Sequence, residues 1–165
     1  MIAAGLCAAV PLAGQASLKV DPSWMTVRAS DSTVLFRVVA GLTPANGGMN
    51  FNGAQNGGLT LTVPLRWHVV FHFANNDENM PHSVLVTKMD QSVPPMPASA
   101  VFGGAMSKDP AQGVNVGSKQ DLHFTADQAG TYLVVCGVPG HGSAGMWIKL
   151  TVSASVAKPA VTSGP

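Results

Sequence analysis

The stretch that most constrains this fold lies near the C-terminal end, where a short loop separates two strand-like runs. Residues 131–135 and 147–152 are rich in β-branched and aromatic residues, which is typical of buried strands. Between them, residues 136–146 read Cys-x4-His-x4-Met, with glycine and proline in the gaps. Because glycine and proline favour tight turns, the sequence predicts that a thiol, an imidazole and a thioether share one loop between two strands.

A second histidine lies upstream, in the segment Pro81-His82-Ser83. Two histidines, one cysteine and one methionine are the ligand set of a type 1 blue-copper site, in which the methionine is a weak axial ligand. Each residue alone has a simpler explanation, because lone methionines and cysteines most often pack in cores. Their joint spacing favours one copper ion per chain, and Met80 is the competing axial candidate. The predicted metal ligands are His82, Cys136, His141 and Met146.

These segments resemble the cupredoxins, the small blue-copper electron carriers, and the sulfocyanin group more closely than the rusticyanins. The run 49–53, Met-Asn-Phe-Asn-Gly, and the strand-like run 58–64 add to this resemblance, which covers residues 17–152. It implies an all-β domain, a Greek-key β-sandwich or barrel of the cupredoxin type. It also implies single-electron transfer by Cu(I)/Cu(II) cycling in a protein that is not an enzyme.

Composition favours one β domain as well. The chain has 165 residues with 18 glycines and 12 prolines between short β-branched runs, which suggests a sandwich. One long irregular loop is predicted at 89–118, with a short helix around 98–106. The net charge of +1 gives no sign of a nucleic-acid surface. Only 10% of the residues are charged, so few carboxylates would be protonated in an acidic exterior.

The two ends of the chain are predicted to lie outside the domain. Residues 1–16 are apolar and small, like the remnant of a secretory signal or membrane anchor, and the alternative is an N-terminal extension. Residues 153–165 are predicted to form a mobile tail. Cys7 falls in the first segment, so Cys136 is expected to be a free ligand rather than half of a disulfide. We expect an extracytoplasmic monomer that is periplasmic, secreted or on the cell surface, with a membrane tether through the N-terminus as one option.

The remaining histidines are predicted to be solvated. Residues 66–73 alternate between apolar and polar side chains, so Phe71 points to the core while His68 and His72 share the polar face. These two histidines would lie about 13 Å apart along a strand, too far to share a metal ion. His123 lies in another alternating run. Tyr132 is expected to form a tyrosine corner, with its hydroxyl bonded to nearby backbone.

Two local features suggest how the site would work. Many cupredoxins have asparagine directly after the first histidine, whereas this chain resembles sulfocyanin and rusticyanin in having Ser83. A shorter side chain and apolar surroundings would stabilise the thiolate less in the Cu(II) state, which predicts a high reduction potential and acid tolerance. Glycines on both sides of His141 leave its outer ring edge unshielded. Redox proteins such as a respiratory-chain oxidase or cytochrome are expected to dock there transiently, on an apolar rim of Pro81, Pro95, Met96, Val138 and Pro139.

Two other classes of function remain open from the sequence. A metal-free Ig-like β-sandwich used for protein interaction would have a similar strand pattern. A copper-dependent oxidoreductase domain would need further metal centres. The chain has five histidines with no His-x-His pair and no second cysteine in the ligand loop, which disfavours that class.

Overall fold

The computed structural model describes residues 18–90, 93, 95 and 99–164. Three short 3-10 turns and nine strands occur in these residues. The strands are β1 (Met25–Arg28), β2 (Thr33–Ala40), β3 (Leu59–Pro64), β4 (His68–Asn75), β5 (Leu85–Lys88), β6 (Lys119–Thr125), β7 (Gly130–Val135), β8 (Trp147–Ser153) and β9 (Ala160–Ser163). No helix in the described ranges is long and apolar enough to cross a membrane.

The strands form two sheets, with the orders β1-β2-β4-β6 and β5-β7-β8-β3-β9. Both sheets are mixed, because β2 pairs parallel with β4 and β3 pairs parallel with β8, while the other pairs are antiparallel. Strands that follow each other in the sequence often lie in different sheets, so the chain crosses repeatedly between the two layers. The prediction of an all-β sandwich is confirmed.

The core lies between the sheets, where alternate side chains of each strand are buried. In β4, Val69, Phe71 and Phe73 are buried and His68 is exposed on the opposite face, as the alternation predicted. Phe71 contacts Phe36 and Phe124 edge-on, with ring centroids 6.2 Å and 5.2 Å apart. Such edge-to-face contacts fix the relative position of three strands of one sheet.

The C-terminal segment differs from the prediction of a mobile tail over 153–165. Residues 160–163 form β9, which pairs antiparallel with β3 in the register Leu61↔Val161. The sequence did not indicate this strand, because the segment is rich in polar and small residues and its pairing depends on a partner distant in the sequence. The strand covers the backbone edge that β3 would otherwise expose. Residues 1–16, predicted to be a signal or anchor remnant, lie outside the described residues.

A smaller prediction was also wrong. Residues 99–106, most of the segment predicted as a short helix, follow β5 instead: the N–H of Val101 donates to the carbonyl of Val86, and the N–H of Val86 donates to the carbonyl of Ala105. Pairing with the edge of β5 satisfies backbone groups that a helix would have satisfied internally.

Candidate metal centre

The ligand loop, residues 136–146, joins β7 to β8, which are antiparallel with Val135 opposite Trp147. The N–H of Cys136 donates to the carbonyl of Met146 at 3.1 Å, and the N–H of Met146 donates to the carbonyl of His141 at 3.0 Å. The two ends of the loop are therefore tied together, and its middle folds back onto one end. Gly145 has a φ of 98°, a turn that other residues rarely adopt.

His82 reaches the same place from the segment before β5. Its N–H donates to the carbonyl of Val114, and its own carbonyl accepts from the N–H of Val114 at 2.8 Å. The buried side chain of Asn75 donates to the carbonyls of Met80 and Val114, both at 2.9 Å. Part of the long irregular loop thus acts as a strand-like partner that fixes the backbone of His82.

Three of the four predicted ligands come together. The Sγ atom of Cys136 lies 3.9 Å from Nδ1 of His82 and 3.6 Å from Nδ1 of His141, and the two Nδ1 atoms are 3.2 Å apart. Ligands that bind one ion at about 2.0–2.3 Å lie roughly 3 to 4 Å from each other. The donor triangle therefore has the size that a single metal ion requires.

The centre is enclosed on one side and open on the other. His82, Cys136 and Met146 have no exposed surface, whereas His141 is half-buried. Burial raises the pKa of the Cys136 thiol, although N–H groups of Ser83 and Val138 oppose the shift. Burial also lowers the pKa of the His141 imidazole. Without metal the thiol is therefore protonated at neutral pH, so a metal ion must displace that proton to bind the sulfur.

Ser83 connects three segments beneath the sulfur atom. Its hydroxyl donates to the carbonyl of Pro110 at 2.7 Å and accepts from the N–H of Gly137 at 2.8 Å. The hydroxyl oxygen is 3.8 Å from Sγ of Cys136, and the backbone N–H of Ser83 donates to that sulfur at 3.4 Å. Because the Ser83 hydroxyl donates its hydrogen bond to the carbonyl of Pro110, the backbone N–H of Ser83, and not its side chain, stabilises the thiolate.

The sequence analysis did not identify Asp77 as part of the site. Its Oδ2 atom lies 2.9 Å from Nε2 of His82, and its side chain is only 4% exposed. Burial acts to raise the pKa of this carboxyl, but hydrogen bonds from His82 and from the N–H groups of Asn79 and Met80 outweigh it and lower the pKa. A carboxylate shortly before a candidate ligand histidine was the signal that sequence reasoning could have used.

The other histidines lie away from the centre, as predicted. His72 pairs with Asp121 at 2.5 Å on the solvent side of β4 and β6, and Nδ1 of His68 is 3.4 Å from the carbonyl of Phe124. Among the described residues, Cys136 is a free cysteine; Cys7 lies outside them. Tyr132 donates to the carbonyl of Gln128 at 2.9 Å, which confirms the tyrosine corner.

The structure describes four of the five residues of the predicted rim around His141. Pro139, Pro81 and Pro95 are exposed and Val138 is half-buried. The N–H of Gly140 donates to the carbonyl of Pro95 at 3.0 Å, so the long loop contacts the ligand loop here. Met96 lies outside the described residues.

Comparison with models of known protein families shows to which family this chain belongs. The model of the sulfocyanin (SoxE) domain matches residues 21–163. The chain belongs to the sulfocyanin family. Sulfocyanin of Sulfolobus acidocaldarius is 28% identical over 137 residues, which cover 79% of this chain and 68% of that protein. Rusticyanin of Acidithiobacillus ferrooxidans is 31% identical over 135 residues, which cover 77% of this chain and 85% of that protein.

Solved structures agree with this assignment. A structure of rusticyanin variants superposes with a TM-score of 0.58 and 26% identity, covering 83% of this chain and 86% of that chain. Auracyanin from Roseiflexus castenholzii gives a TM-score of 0.51 at 20% identity, covering 74% of this chain and 97% of that one, and supports the fold. This sulfocyanin-family protein is therefore a cupredoxin, from a family of electron carriers with one type 1 copper. The metal-free alternative loses its support.

Ser83→Ala tests whether the Ser83 hydroxyl stabilises the fold by linking Pro110 to Gly137. The change removes the partner of the buried N–H of Gly137 and of the partly buried carbonyl of Pro110. We expect the free energy of unfolding of the copper-free protein to fall by about 2 kcal/mol, measured by urea denaturation. The control is Ser143→Ala, which removes an exposed hydroxyl of the ligand loop. Its effect should stay within about 0.5 kcal/mol, and equal effects of the two changes would contradict the assignment.

Proposed function

We propose that this protein carries single electrons between redox proteins outside the cytoplasm, and that it is a monomer with a high reduction potential and tolerance to acid. The ligands of its copper are His82, Cys136, His141 and Met146. The observation that carries the proposal is the convergence of two imidazole nitrogens and one thiol sulfur within 3.9 Å of one another. Met146 is buried at the end of the same loop.

The protein's part in this function is to hold the ligands still. Bound copper supplies the one-electron chemistry, since thiolate, imidazole and thioether ligands suit both of its oxidation states. The closed loop between β7 and β8 fixes Cys136, His141 and Met146 through its own backbone hydrogen bonds. His82 is fixed independently by Val114. Because neither segment has to rearrange, electron transfer would involve little movement of the protein.

An absorption spectrum of the purified protein with added Cu(II) tests this proposal. We expect an intense blue band from the thiolate, bleached by ascorbate and lost in Cys136→Ser, because a hydroxyl is a poor substitute for thiolate sulfur. Circular dichroism of both proteins provides the control that the fold is intact. A folded wild-type protein without a blue band would refute the proposal.

Two features support a high potential. Cys136 and Met146 are fully enclosed, so water cannot stabilise the additional positive charge of the Cu(II) state. The N–H of Ser83 also withdraws electron density from the sulfur. The negative charge of Asp77 acts through His82 to lower the reduction potential. We propose that the effect of enclosure on the potential is larger, because hydrogen bonds from His82 and Asn79 disperse the charge of the carboxylate.

Voltammetry of the copper-loaded protein would test the potential, and its blue absorbance at low pH would test acid tolerance. We expect a midpoint potential above that of azurin-like proteins, and a blue band that persists below the usual carboxyl pKa of about 4. The low number of acidic residues, 8 in the chain, supports the second expectation. An azurin-like potential or bleaching near pH 4 would contradict the respective part of the proposal.

The exposed edge of His141 is the proposed electron port, with Val138 and Pro139 beside it. The surrounding surface is small and apolar, which suits a transient redox partner such as a respiratory-chain oxidase or cytochrome. Residues 1–16 would supply export or a membrane tether. Cell fractionation would test the location, and sedimentation would test the monomer.

Pro139→Glu places a charge beside this port. We expect slower electron transfer to a partner protein with an unchanged blue spectrum, because docking is impaired while the ligands stay in place. The measurement is stopped-flow oxidation or reduction with a soluble cytochrome. Val27→Glu, on the exposed side of β1 in the other sheet, is the matched control and should leave the rate unchanged. An unchanged rate in Pro139→Glu with an altered spectrum would contradict the assignment of the port.

A further inference from the structure

The glycine- and asparagine-rich segment 41–50 has no part in the function described so far, yet it packs directly against Asp77. A Cβ atom added to Gly48 would overlap Oδ2 of Asp77, and one added to Gly41 would lie 2.6 Å from the Cβ of Asp77. Both glycines have positive φ, 64° at Gly41 and 90° at Gly48. The two residues therefore form a cradle that only the absence of side chains leaves open for the carboxylate.

Every polar atom of the Asp77 side chain has a partner. Oδ2 faces Nε2 of His82 at 2.9 Å, and Oδ1 accepts from the N–H of Asn79 at 2.8 Å. The N–H of Asp77 itself donates to Oδ1 of the buried Asn75 at 3.0 Å. The carboxylate is thus fixed in position and orientation on the side of His82 that faces away from Cys136.

This contact determines which nitrogen of His82 carries the proton. An ionised carboxylate can only accept hydrogen bonds, so Nε2 must be the protonated nitrogen. The other nitrogen, Nδ1, then has a free lone pair, and it lies 3.9 Å from Sγ of Cys136 and 3.2 Å from Nδ1 of His141. The imidazole is therefore already in the tautomer that a metal ion needs.

We propose that Asp77, seated between Gly41 and Gly48, is the positioning residue that holds His82 in the Nε2–H tautomer and ready to bind copper. This inference rests on the proposed function, since it assigns a role within the same centre. It extends the site to segment 41–50, which also reaches the ligand loop through the side chain of Asn46, a donor to the carbonyl of Ala144 at 2.9 Å.

A second consequence concerns the two oxidation states. A buried carboxylate that accepts from an imidazole makes that imidazole a stronger electron donor and adds negative charge near the metal. Both effects stabilise Cu(II) more than Cu(I). Asp77 should therefore lower the reduction potential, and its removal should raise the potential while weakening the binding of Cu(II) more than that of Cu(I).

The test uses the full chain with Asp77→Ala, Asp77→Asn and Gly48→Ala, and with Gly47→Ala as the matched control. Gly47 also has a positive φ, 63°, but no atom lies within 4 Å of a Cβ added there. Gly47→Ala thus imposes the same kind of backbone strain as Gly48→Ala without displacing the carboxylate. Asp77→Asn keeps the shape but leaves one oxygen for two N–H donors.

Two measurements are made on each protein. Nitrogen-15 NMR of the His82 ring in the copper-free protein reports the tautomer, and competition titrations report the Cu(II) and Cu(I) affinities. We expect Asp77→Ala to populate the Nδ1–H tautomer and to bind Cu(II) 10- to 100-fold more weakly. If the loss for Cu(II) exceeds that for Cu(I) tenfold, the potential rises by about 59 mV. Gly48→Ala should change the His82 tautomer and the copper affinities in the same direction as Asp77→Ala. Gly47→Ala should have the tautomer and the affinities of wild type.

The outcomes separate this inference from the proposed function. If His82 keeps the Nε2–H tautomer in Asp77→Ala, the positioning role is refuted. If both copper affinities fall equally, the effect of Asp77 on the reduction potential is refuted. If Asp77→Ala does not fold, the comparison of Gly48→Ala with Gly47→Ala decides, and identical behaviour of those two would refute the role. If wild type shows no blue band, the proposed function fails, while the NMR result still tests the contact between Asp77 and His82.

Discussion

The centre depends on the closure of the ligand loop. The hydrogen bond from the N–H of Cys136 to the carbonyl of Met146 continues the pairing of β7 and β8 by one step beyond the strands. It therefore gives the two sulfur residues the rigidity of the sheet, although they belong to a loop rich in glycine. His141, in the middle of the loop, is held by its carbonyl, which accepts from the N–H of Met146. Three functional side chains thus depend on one strand pair, and the two-layer core beneath keeps that pair in place.

Separate segments hold the residues of the donor triangle in place. Two imidazole nitrogens lie 3.2 Å apart beside a buried sulfur. Val114 and Asn75 support the backbone around His82, and the loop closure supports His141. Rigid ligands of this kind favour fast electron transfer, since neither oxidation state can pull the site into its own preferred geometry.

Local sequence signals predicted the parts of this structure that depend on local physics. Alternation located β4 and its buried Phe71, and the spacing in the 136–146 loop predicted which side chains converge. The two wrong predictions of secondary structure share one cause, since each segment pairs with a partner distant in the sequence. Residues 160–163 become a strand only because β3 has a free edge, and residues 99–106 avoid a helix because β5 offers backbone partners. Asp77 sits in a run of turn-forming residues, and nothing local indicates that Gly41 and Gly48 leave room for its carboxylate.

The two histidines of the centre have the same chemistry but opposite surroundings. His82 is fully buried, with Asp77 behind its ring and the cradle glycines behind Asp77. His141 has only glycines beside it in the chain and is half-buried, with apolar residues around its outer edge. Electronic coupling falls steeply with distance, which favours the proposed electron port at His141, the less covered of the two histidines. The buried side of the centre, around His82, has a different role in this proposal. There the carboxylate of Asp77 can adjust the reduction potential without contact with solvent or a partner protein. In the proposed function, the electron port and the carboxylate that adjusts the potential therefore belong to separate parts of the site.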